Sequence, residues 1–279
     1  DSTNIITPLL SVITNISLDH TQFLGTTRAA IAVEKAGIIK PGIPVVVGET
    51  DPETAPVFIA ESREMQSRLL FADQCYRILS ATPAAGGQRL VVENRMDDYA
   101  FGVDIDLSGR YQRKNILTVI AALDVLQESG ALRFTRSQVE DGLRRAAATT
   151  GLMGRWQILG RDPLIICDTG HNSAGMEEVA AQLRNYDCER LFIVFGAVRD
   201  KDLDAIFPHL PAEAHYLFTQ AAVDRALPAE VLAARARQAG LKGETVPTVK
   251  EALAQALAQA APRDLIFIGG STFIVAEII

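Results

Sequence analysis

The fold is decided by the stretch Leu164-Ile165-Ile166-Cys167-Asp168-Thr169-Gly170-His171-Asn172. An apolar run that ends in polar and turn-forming residues is typical of a buried strand that leads into a helix. Further apolar runs follow, separated by helix-like stretches, and this alternation predicts a mostly parallel sheet with helices on both faces. The further runs are Leu191–Phe195, Tyr216–Thr219, Gly243–Val246 and Leu265–Ile268.

The preceding half of the chain also mixes strands and helices. A long helix is expected over Tyr111–Ser129, where apolar residues recur at helical spacing before Gly130. Thr135 and Gln138 have the spacing of a capping box, which opens a helix up to about Ala148. The other expected elements are strand Leu9–Thr14, helix Thr27–Ile38, strand Ile43–Gly48, helix Pro52–Leu69, β-rich segments around Tyr76–Ala81, Gln88–Val92 and Tyr99–Leu107, and a hairpin at Gly86-Gly87.

A hinge is expected at residues 149–154, where glycines separate the two patterns. We therefore expect an α/β protein of two domains, 1–150 and 151–279, the second Rossmann-like with a mostly parallel sheet.

Composition narrows the classes of function. The chain has 279 residues and a net charge of −7, without the basic stripe that a nucleic-acid partner requires. Its three cysteines are too scattered for a disulfide framework, so a reducing cytosol fits best. No apolar run approaches the roughly 20 residues that span a bilayer, and the start lacks the basic region of a signal peptide. We expect a cytoplasmic protein that binds neither nucleic acid nor membrane.

Asp19 and His20 follow the short strand-like run Ser11-Val12-Ile13. Polar residues at the carboxyl end of a strand are where an α/β protein places a site. These two side chains, which are of the metal-binding type, are therefore expected at the mouth of a site.

Lys35 shares a helical stripe with Ile31 and Ile38, at spacings of i, i+4 and i+7. An amine in an apolar environment is biased towards its neutral form, which can take up carbon dioxide as a carbamate. The alternative is that Lys35 lies at the edge of the stripe with its ammonium in water, as long cationic side chains commonly do.

Other polar residues also have a chemical and a structural interpretation. Asp168 and Asn172 either face a ligand at the end of a strand or cap the turn and the helix that follow. Arg155 at the hinge suits phosphate through its planar fork, or it stacks on the surface. Asn115 offers the donor and acceptor that adenine recognition requires, or it is an ordinary helix-start residue. Lys201 lies in an Asp-Lys-Asp run that is usually a solvated loop.

Several of these motifs together resemble the folylpolyglutamate synthase/dihydrofolate synthase family, a branch of the Mur ligases. The resemblance covers essentially the whole chain, in the order of the family. It is carried by Asp1–Pro8, Thr14–His20, Glu34–Ile38, Gly109–Asn115, Gly154-Arg155, Asp168–Asn172, Asp200–Asp202 and Gly270-Ser271.

The resemblance implies that His20 binds magnesium and that Lys35 is carbamylated and assists the metal sites. It implies that Asp168 holds the ribose of ATP, that His171 lies close to the nucleotide, and that Arg155 reaches the γ-phosphate. Thr169 stands where the family usually has glycine.

The same resemblance assigns Asn115 to adenine, with Gln112 in the same motif, and places Lys201 near a phosphate or the substrate carboxylate. It makes 1–150 the remainder of a central ATP-binding domain and 151–279 a ligase domain. The resemblance also implies that the P-loop of the family lies upstream of the segment that matches Asp1. No complete P-loop occurs in the sequence, because Gly170–Glu177 has Met176 and Glu177 where a P-loop has lysine and a hydroxyl.

The expected activity is ATP- and Mg²⁺-dependent ligation of L-glutamate to a folate or dihydropteroate carboxylate through an acyl phosphate, by a monomer. Two alternatives stay open at this point. One is another Mur-type amino-acid ligase, and the other is a non-catalytic nucleotide-binding module, which the absence of a P-loop in the sequence suggests.

Overall fold

The computed structural model of the protein describes residues 4–18, 25–84 and 86–279. The chain divides into two compact units, Asp1–Thr150 and Gly151–Ile279. The described elements of the first unit are β1 (Ser11–Ile13), α1 (Arg28–Ala36), β2 (Val45–Val47), α2 (Ala55–Glu64), β3 (Leu69–Phe71), α3 (Ala72–Cys75), β4 (Tyr76–Ala84), β5 (Gly87–Asn94), β6 (Tyr99–Ile105), α4 (Gln112–Glu128), α5 (Arg136–Arg144) and α6 (Ala146–Thr150).

The first unit contains a parallel sheet in the order β1-β2-β3. Successive side chains of a strand point to opposite faces, and β2 shows this directly. Val45 and Val47 are buried in one cluster with Ala32 of α1 and Phe58 of α2, whereas Val46 belongs to the cluster that includes α4. Helices therefore cover both faces of this sheet.

An antiparallel sheet in the order β4-β5-β6 follows in the same unit. Leu90 and Val92 of β5 are fully buried and share a cluster with Ile116 and Ile120 of α4. Ala84 pairs with Gly87 across the turn, so the expected hairpin is confirmed.

The second unit is built on a six-stranded sheet in the order β11-β10-β9-β12-β8-β7. All neighbouring strands are parallel except β7 and β8. The elements are β7 (Gln157–Arg161), β8 (Leu164–Cys167), α7 (Ser173–Leu183), β9 (Leu191–Phe195), α8 (Leu203–Ile206), β10 (His215–Phe218), α9 (Ala229–Gln238), β11 (Gly243–Thr245), α10 (Val249–Gln259), β12 (Leu265–Gly269) and α11 (Thr272–Ala276), with a 3₁₀ turn at Phe207–His209.

Both faces of this sheet are buried. In β9, Phe192 and Val194 face one apolar cluster and Ile193 and Phe195 face the other. A strand buried on both sides is apolar throughout, which is why the sequence shows unbroken apolar runs here. The predicted α/β fold with a mostly parallel sheet is confirmed.

The helix expected over Pro52–Leu69 is wrong at its end, because α2 ends at Glu64 and β3 begins at Leu69. The amide of Gln66 bonds to the carbonyl of Arg63, and the amide of Ser67 bonds to that of Ser62. This pair of bonds is a Schellman motif, in which the residue after the cap is left-handed and is usually glycine. Gln66 takes that conformation with a φ of 51°, so the sequence carries no glycine to mark the end.

One further boundary and one strand differ from expectation. The helix that opens at the capping box of Thr135 and Gln138 ends at Arg144, and the separate helix α6 follows. The carboxylate of Asp106 accepts the amides of Ala147 and Ala148 at 3.0 Å each, which satisfies the start of α6 from a distant part of the chain. Strand β7 was not expected at all.

Among the described residues, no helix combines the length and the apolar character that crossing a bilayer would need.

Candidate active site

The carboxyl ends of β8, β9 and β12 lie side by side in the second unit. The amide of Asp168 bonds to the carbonyl of Ile268 at 3.1 Å, and that of Gly196 bonds to Gly269 at 3.3 Å. Gly270 has a φ of 90°, and a Cβ there would approach the carbonyl oxygen of Gly196 at 2.6 Å. A glycine is therefore required for this close turn, and the polar residues that follow the strands are gathered at one edge.

Asp168 is buried at this edge, with 2% of its surface exposed. Its Oδ2 accepts the amide of Trp156 and its Oδ1 accepts the amide of Gly170, both at 2.7 Å. The carboxylate therefore has the structural role that the sequence left open as an alternative. Burial, followed by the charge of Asp168, raises the pKa of the neighbouring Cys167 thiol to about 12.

Arg155 points outward from a turn whose two flanking residues are left-handed. Gly154 has a φ of 70° and Trp156 a φ of 51°. The left-handed Trp156 is held by the bond from its amide to Asp168 and by burial of its side chain, which is 1% exposed. The guanidinium of Arg155 donates a hydrogen bond to the hydroxyl of Thr169. This bond orients an otherwise exposed cation beside the carboxyl edge of the sheet.

His171 and Asn172 complete the turn that leads into α7. Nδ1 of His171 lies 3.0 Å from the carbonyl oxygen of Thr169. The side chain of Asn172 accepts the amide of Gly175 at 2.8 Å and so caps α7. The structure thus brings Arg155, Asp168 and His171 together around Thr169, and it gives Asn172 the capping role.

Lys201 lies in the loop after β9 and is half-buried. Its amide donates to the carbonyl of Val198 at 3.3 Å, which closes a turn. Asp200 pairs with Arg225 at 3.0 Å, and Asp202 caps α8. Partial burial acts to raise the pKa of Asp200, but the hydrogen bond from Arg225, a backbone hydrogen bond and the charges of Arg225 and Lys201 together outweigh it and lower that pKa. Both acidic neighbours of Lys201 are therefore engaged elsewhere.

The adenine candidates lie at the start of α4. The side-chain amide of Asn115 donates to Oε1 of Gln112 at 2.9 Å, and Gln112 is 7% exposed. Nearby, Gln88 donates to the carbonyl of Gly109 at 3.1 Å and accepts from Nε of Arg113 at 2.9 Å. These hydrogen bonds fix the segment that precedes α4, and the bond to Gln112 fixes the side chain of Asn115.

Lys35 lies in the last turn of α1, and its stripe is shorter than expected. Ile31 is buried, but Ile38 lies beyond the end of the helix at Ala36. Lys35 is half-buried, and its ammonium forms no hydrogen bond or ion pair with another described residue. The expected helical stripe of Ile31, Lys35 and Ile38 is therefore wrong at its end, because the helix does not reach Ile38.

Comparison with known proteins identifies the family. Residues 154–272 match the family described as Mur ligase, glutamate ligase domain. The folylpolyglutamate synthase of Lacticaseibacillus casei is 32% identical over 283 residues, which cover 100% of this chain and 63% of that protein. The chain belongs to the folylpolyglutamate synthase/dihydrofolate synthase branch of the Mur ligases.

Solved structures of folylpolyglutamate synthases share the fold. Mycobacterium tuberculosis folylpolyglutamate synthase complexed with ADP has a TM-score of 0.86 and 27% identity, and the match covers 99% of this chain and 63% of that chain. A bifunctional folylpolyglutamate synthase/dihydrofolate synthase with Mn, AMPPNP and L-glutamate bound has a TM-score of 0.78 and 25% identity, covering 100% and 63%. The chain therefore spans less than two thirds of the length of these relatives.

Glu49 is a polar residue that was not predicted from the sequence as a candidate site residue of this folylpolyglutamate synthase-like chain. It follows β2, and its carboxylate accepts from the Asn15 side chain at 2.9 Å and pairs with Nζ of Lys114 at 3.1 Å. Asn15 belongs to the motif that contains His20. The sequence did contain a signal for Glu49, because it is the first charged residue after the carboxyl end of a parallel strand.

Part of the metal site that the resemblance to the folylpolyglutamate synthase family implies lies outside the described residues. Asp19 and His20 lie outside the described residues. Within the residues that are described, no group of three His, Cys, Asp or Glu side chains is placed to hold a metal ion. The described part of the chain therefore does not by itself provide a magnesium site.

Proposed function

We propose that the protein ligates L-glutamate to the carboxylate of a folate or dihydropteroate, driven by ATP and assisted by a divalent cation. One observation carries the proposal: Arg155, Asp168 and His171 converge at the carboxyl edge of a sheet in a chain that matches folylpolyglutamate synthases along its length. The relatives with ADP, or with Mn, AMPPNP and L-glutamate, supply the classes of ligand.

The residues of the second unit fit a nucleotide. Arg155 carries only donors in a planar fork, which matches phosphate oxygens, and Thr169 holds that fork in place. The carboxylate of Asp168, which is fixed by the amides of Trp156 and Gly170, is the kind of acceptor that suits a ribose hydroxyl. His171, held by the carbonyl of Thr169, adds a ring nitrogen at the same edge.

The start of α4 fits an adenine edge. The hydrogen bond to Gln112 uses one N–H of the Asn115 amide, and the second N–H and the carbonyl oxygen suit an acceptor and a donor of the base. Gln112 is buried and serves to fix the amide rather than to meet the ligand.

ATP would supply the phosphoryl group that activates the acceptor carboxylate as an acyl phosphate, which the amine of L-glutamate then displaces with release of phosphate. Phosphoryl transfer of this kind depends mainly on positioning and on electrostatic stabilisation. The fixed cation of Arg155 and the ammonium of Lys201 would stabilise the negative charge that develops. Small-molecule substrates and a monomeric enzyme complete the proposal.

We assign the binding of magnesium to His20 and to a carbamate on Lys35. Magnesium prefers oxygen ligands, and a carbamate would provide them where an amine provides none.

The role of Arg155 is tested in the full-length protein. We expect Arg155→Ala to lower kcat by about 10²- to 10³-fold, since a preoriented donor to transition-state charge is lost. Arg155→Lys should recover only part of the rate, because an ammonium lacks the planar fork. The measurement is ADP release that depends on both L-glutamate and a folate or dihydropteroate.

Arg161→Ala is the matched control, because Arg161 is an exposed arginine at the end of β7, away from Thr169. It should turn over at the wild-type rate. Wild-type turnover by Arg155→Ala contradicts the assigned role. ADP release that requires a peptide acceptor in place of a folate contradicts the assigned substrate.

The carbamate on Lys35 is tested by chemical rescue. Lys35→Ala should lose turnover and regain part of it with formate or acetate, whose carboxylate replaces the missing anion. Lys40→Ala is the control, because Nζ of Lys40 is held by Asn4 at 2.6 Å and by the carbonyl of Gly37 at 2.7 Å, so small acids should not rescue it. A fully active Lys35→Ala enzyme would rule out the carbamate.

A further inference from the structure

A cavity of about 240 Å³ lies in the first unit between β6, α4 and α5. It is separate from the candidate nucleotide site, because the cavity residue Asp124 is about two and a half helical turns further along α4 than Asn115. Its lining is mainly apolar and aromatic, with four rings contributed by Tyr76, Tyr99, Phe101 and Phe134.

Asp124 is the carboxylate of this cavity that has no cationic partner. It accepts a hydrogen bond from the hydroxyl of Tyr76, and no Lys or Arg of the described chain forms an ion pair with it. Burial raises the pKa of Asp124, although the bond from Tyr76 acts to lower it. A carboxylate that has lost part of its hydration and lacks a counter-ion is energetically unfavourable, and a bound cation relieves that cost.

The other charges of the cavity balance each other. Nε of Arg136 lies 2.7 Å from Oε1 of Glu140, one turn along α5. The lining therefore carries a net charge of about −1, that of Asp124, which a monovalent cation neutralises. An anionic ligand would meet the uncompensated carboxylate of Asp124, so anions are disfavoured.

The aromatic rings indicate what kind of cation fits. Tyr99 and Phe101 form a ring pair with centroids 5.7 Å apart, and Tyr99 is 51% exposed, so it lies at the opening. Ring faces attract organic ammonium ions, and quaternary ammonium groups are typically bound in this way. A metal ion is a poor fit, because magnesium or calcium requires several oxygen ligands. The volume suits a ligand smaller than a drug molecule.

We propose that this cavity binds a small organic ammonium ion, with Asp124 as its counter-ion and with Tyr99 and Phe101 as the aromatic surface. This site is independent of the proposed ligase function and does not require nucleotide.

Titration calorimetry with the whole protein tests the proposal, with choline as the probe. The matched neutral probe is 3,3-dimethyl-1-butanol, which has nearly the same shape and no charge. We expect choline to bind at least tenfold more tightly than the alcohol. Equal affinities, or no measurable choline binding, would overturn the proposal.

Substitutions then locate the binding. Asp124→Asn should abolish the preference for choline, whereas Glu128→Gln should keep it within about twofold. Glu128 lies on the same helix and pairs with Arg68, outside the cavity. Wild-type binding by Asp124→Asn, or an equal loss in Glu128→Gln, would overturn the assignment of the counter-ion.

Phe101→Leu covers the case in which Asp124→Asn fails to fold. Leucine keeps an apolar side chain at this half-buried position but removes the ring face. Choline affinity should fall about fivefold while that of the alcohol stays the same. An equal change for both probes would show that the ring contributes only apolar contact and would overturn the proposed aromatic surface.

Discussion

At the scale of single residues, the candidate site depends on Thr169 and Asp168. The hydroxyl of Thr169 accepts the hydrogen bond from Arg155, which a residue without a side-chain acceptor could not do. Asp168 ties Trp156 and Gly170 together, so the two ends of the site are held by one carboxylate. The positions of the functional side chains therefore depend on buried hydrogen bonds that carry no chemistry themselves.

Asp168→Asn should destabilise the second unit by roughly 1–3 kcal/mol, because an amide has one oxygen for two donating N–H groups and leaves one of them unsatisfied. Urea unfolding followed by tryptophan emission measures this, since Trp156 is the sole tryptophan of the sequence. Asp187→Asn, at an exposed position of the same unit, is the control and should change stability by less than about 0.5 kcal/mol. Equal stability of the two variants would contradict the role given to Asp168.

At the scale of elements, helix ends are set by contacts that local sequence does not reveal. α2 ends at a left-handed Gln66, where glycine is the usual residue, and α6 begins with amides bound by the distant Asp106. The capping box of Thr135 and Gln138, by contrast, is local and was predicted correctly. Caps made by neighbours in sequence are predictable, whereas caps supplied across the fold are not.

Gln66→Gly should stabilise the first unit by about 0.5–1 kcal/mol, because glycine takes a positive φ without the steric cost that other residues have. Gln66 is exposed, so little packing is lost. Arg63→Gly, at an exposed right-handed position of α2, is the matched control and should destabilise by about 1 kcal/mol. Thermal unfolding distinguishes the two signs, and destabilisation by both variants would contradict the account of this helix end.

At the scale of the whole molecule, the sequence predicted the parallel sheet of the second unit almost to the residue. Strands buried on both faces are uniformly apolar, and their runs stand out, as in β8 and β9. β7 was missed because it is an antiparallel edge strand with a polar residue at each end. The region around Asp168 was also foreseen, but its bond to Trp156 joins residues 12 positions apart and follows only from the fold.

The two outer strands of the second unit's sheet are poorly suited to pairing with a strand of another molecule. β7 carries a register shift between Ile158 and Gly160, and β11 at the opposite edge has only three residues. A bulged edge and a short edge are poor templates for a strand from another molecule. The apolar interior of this sheet is thereby protected from edge-to-edge pairing with other molecules at high protein concentration.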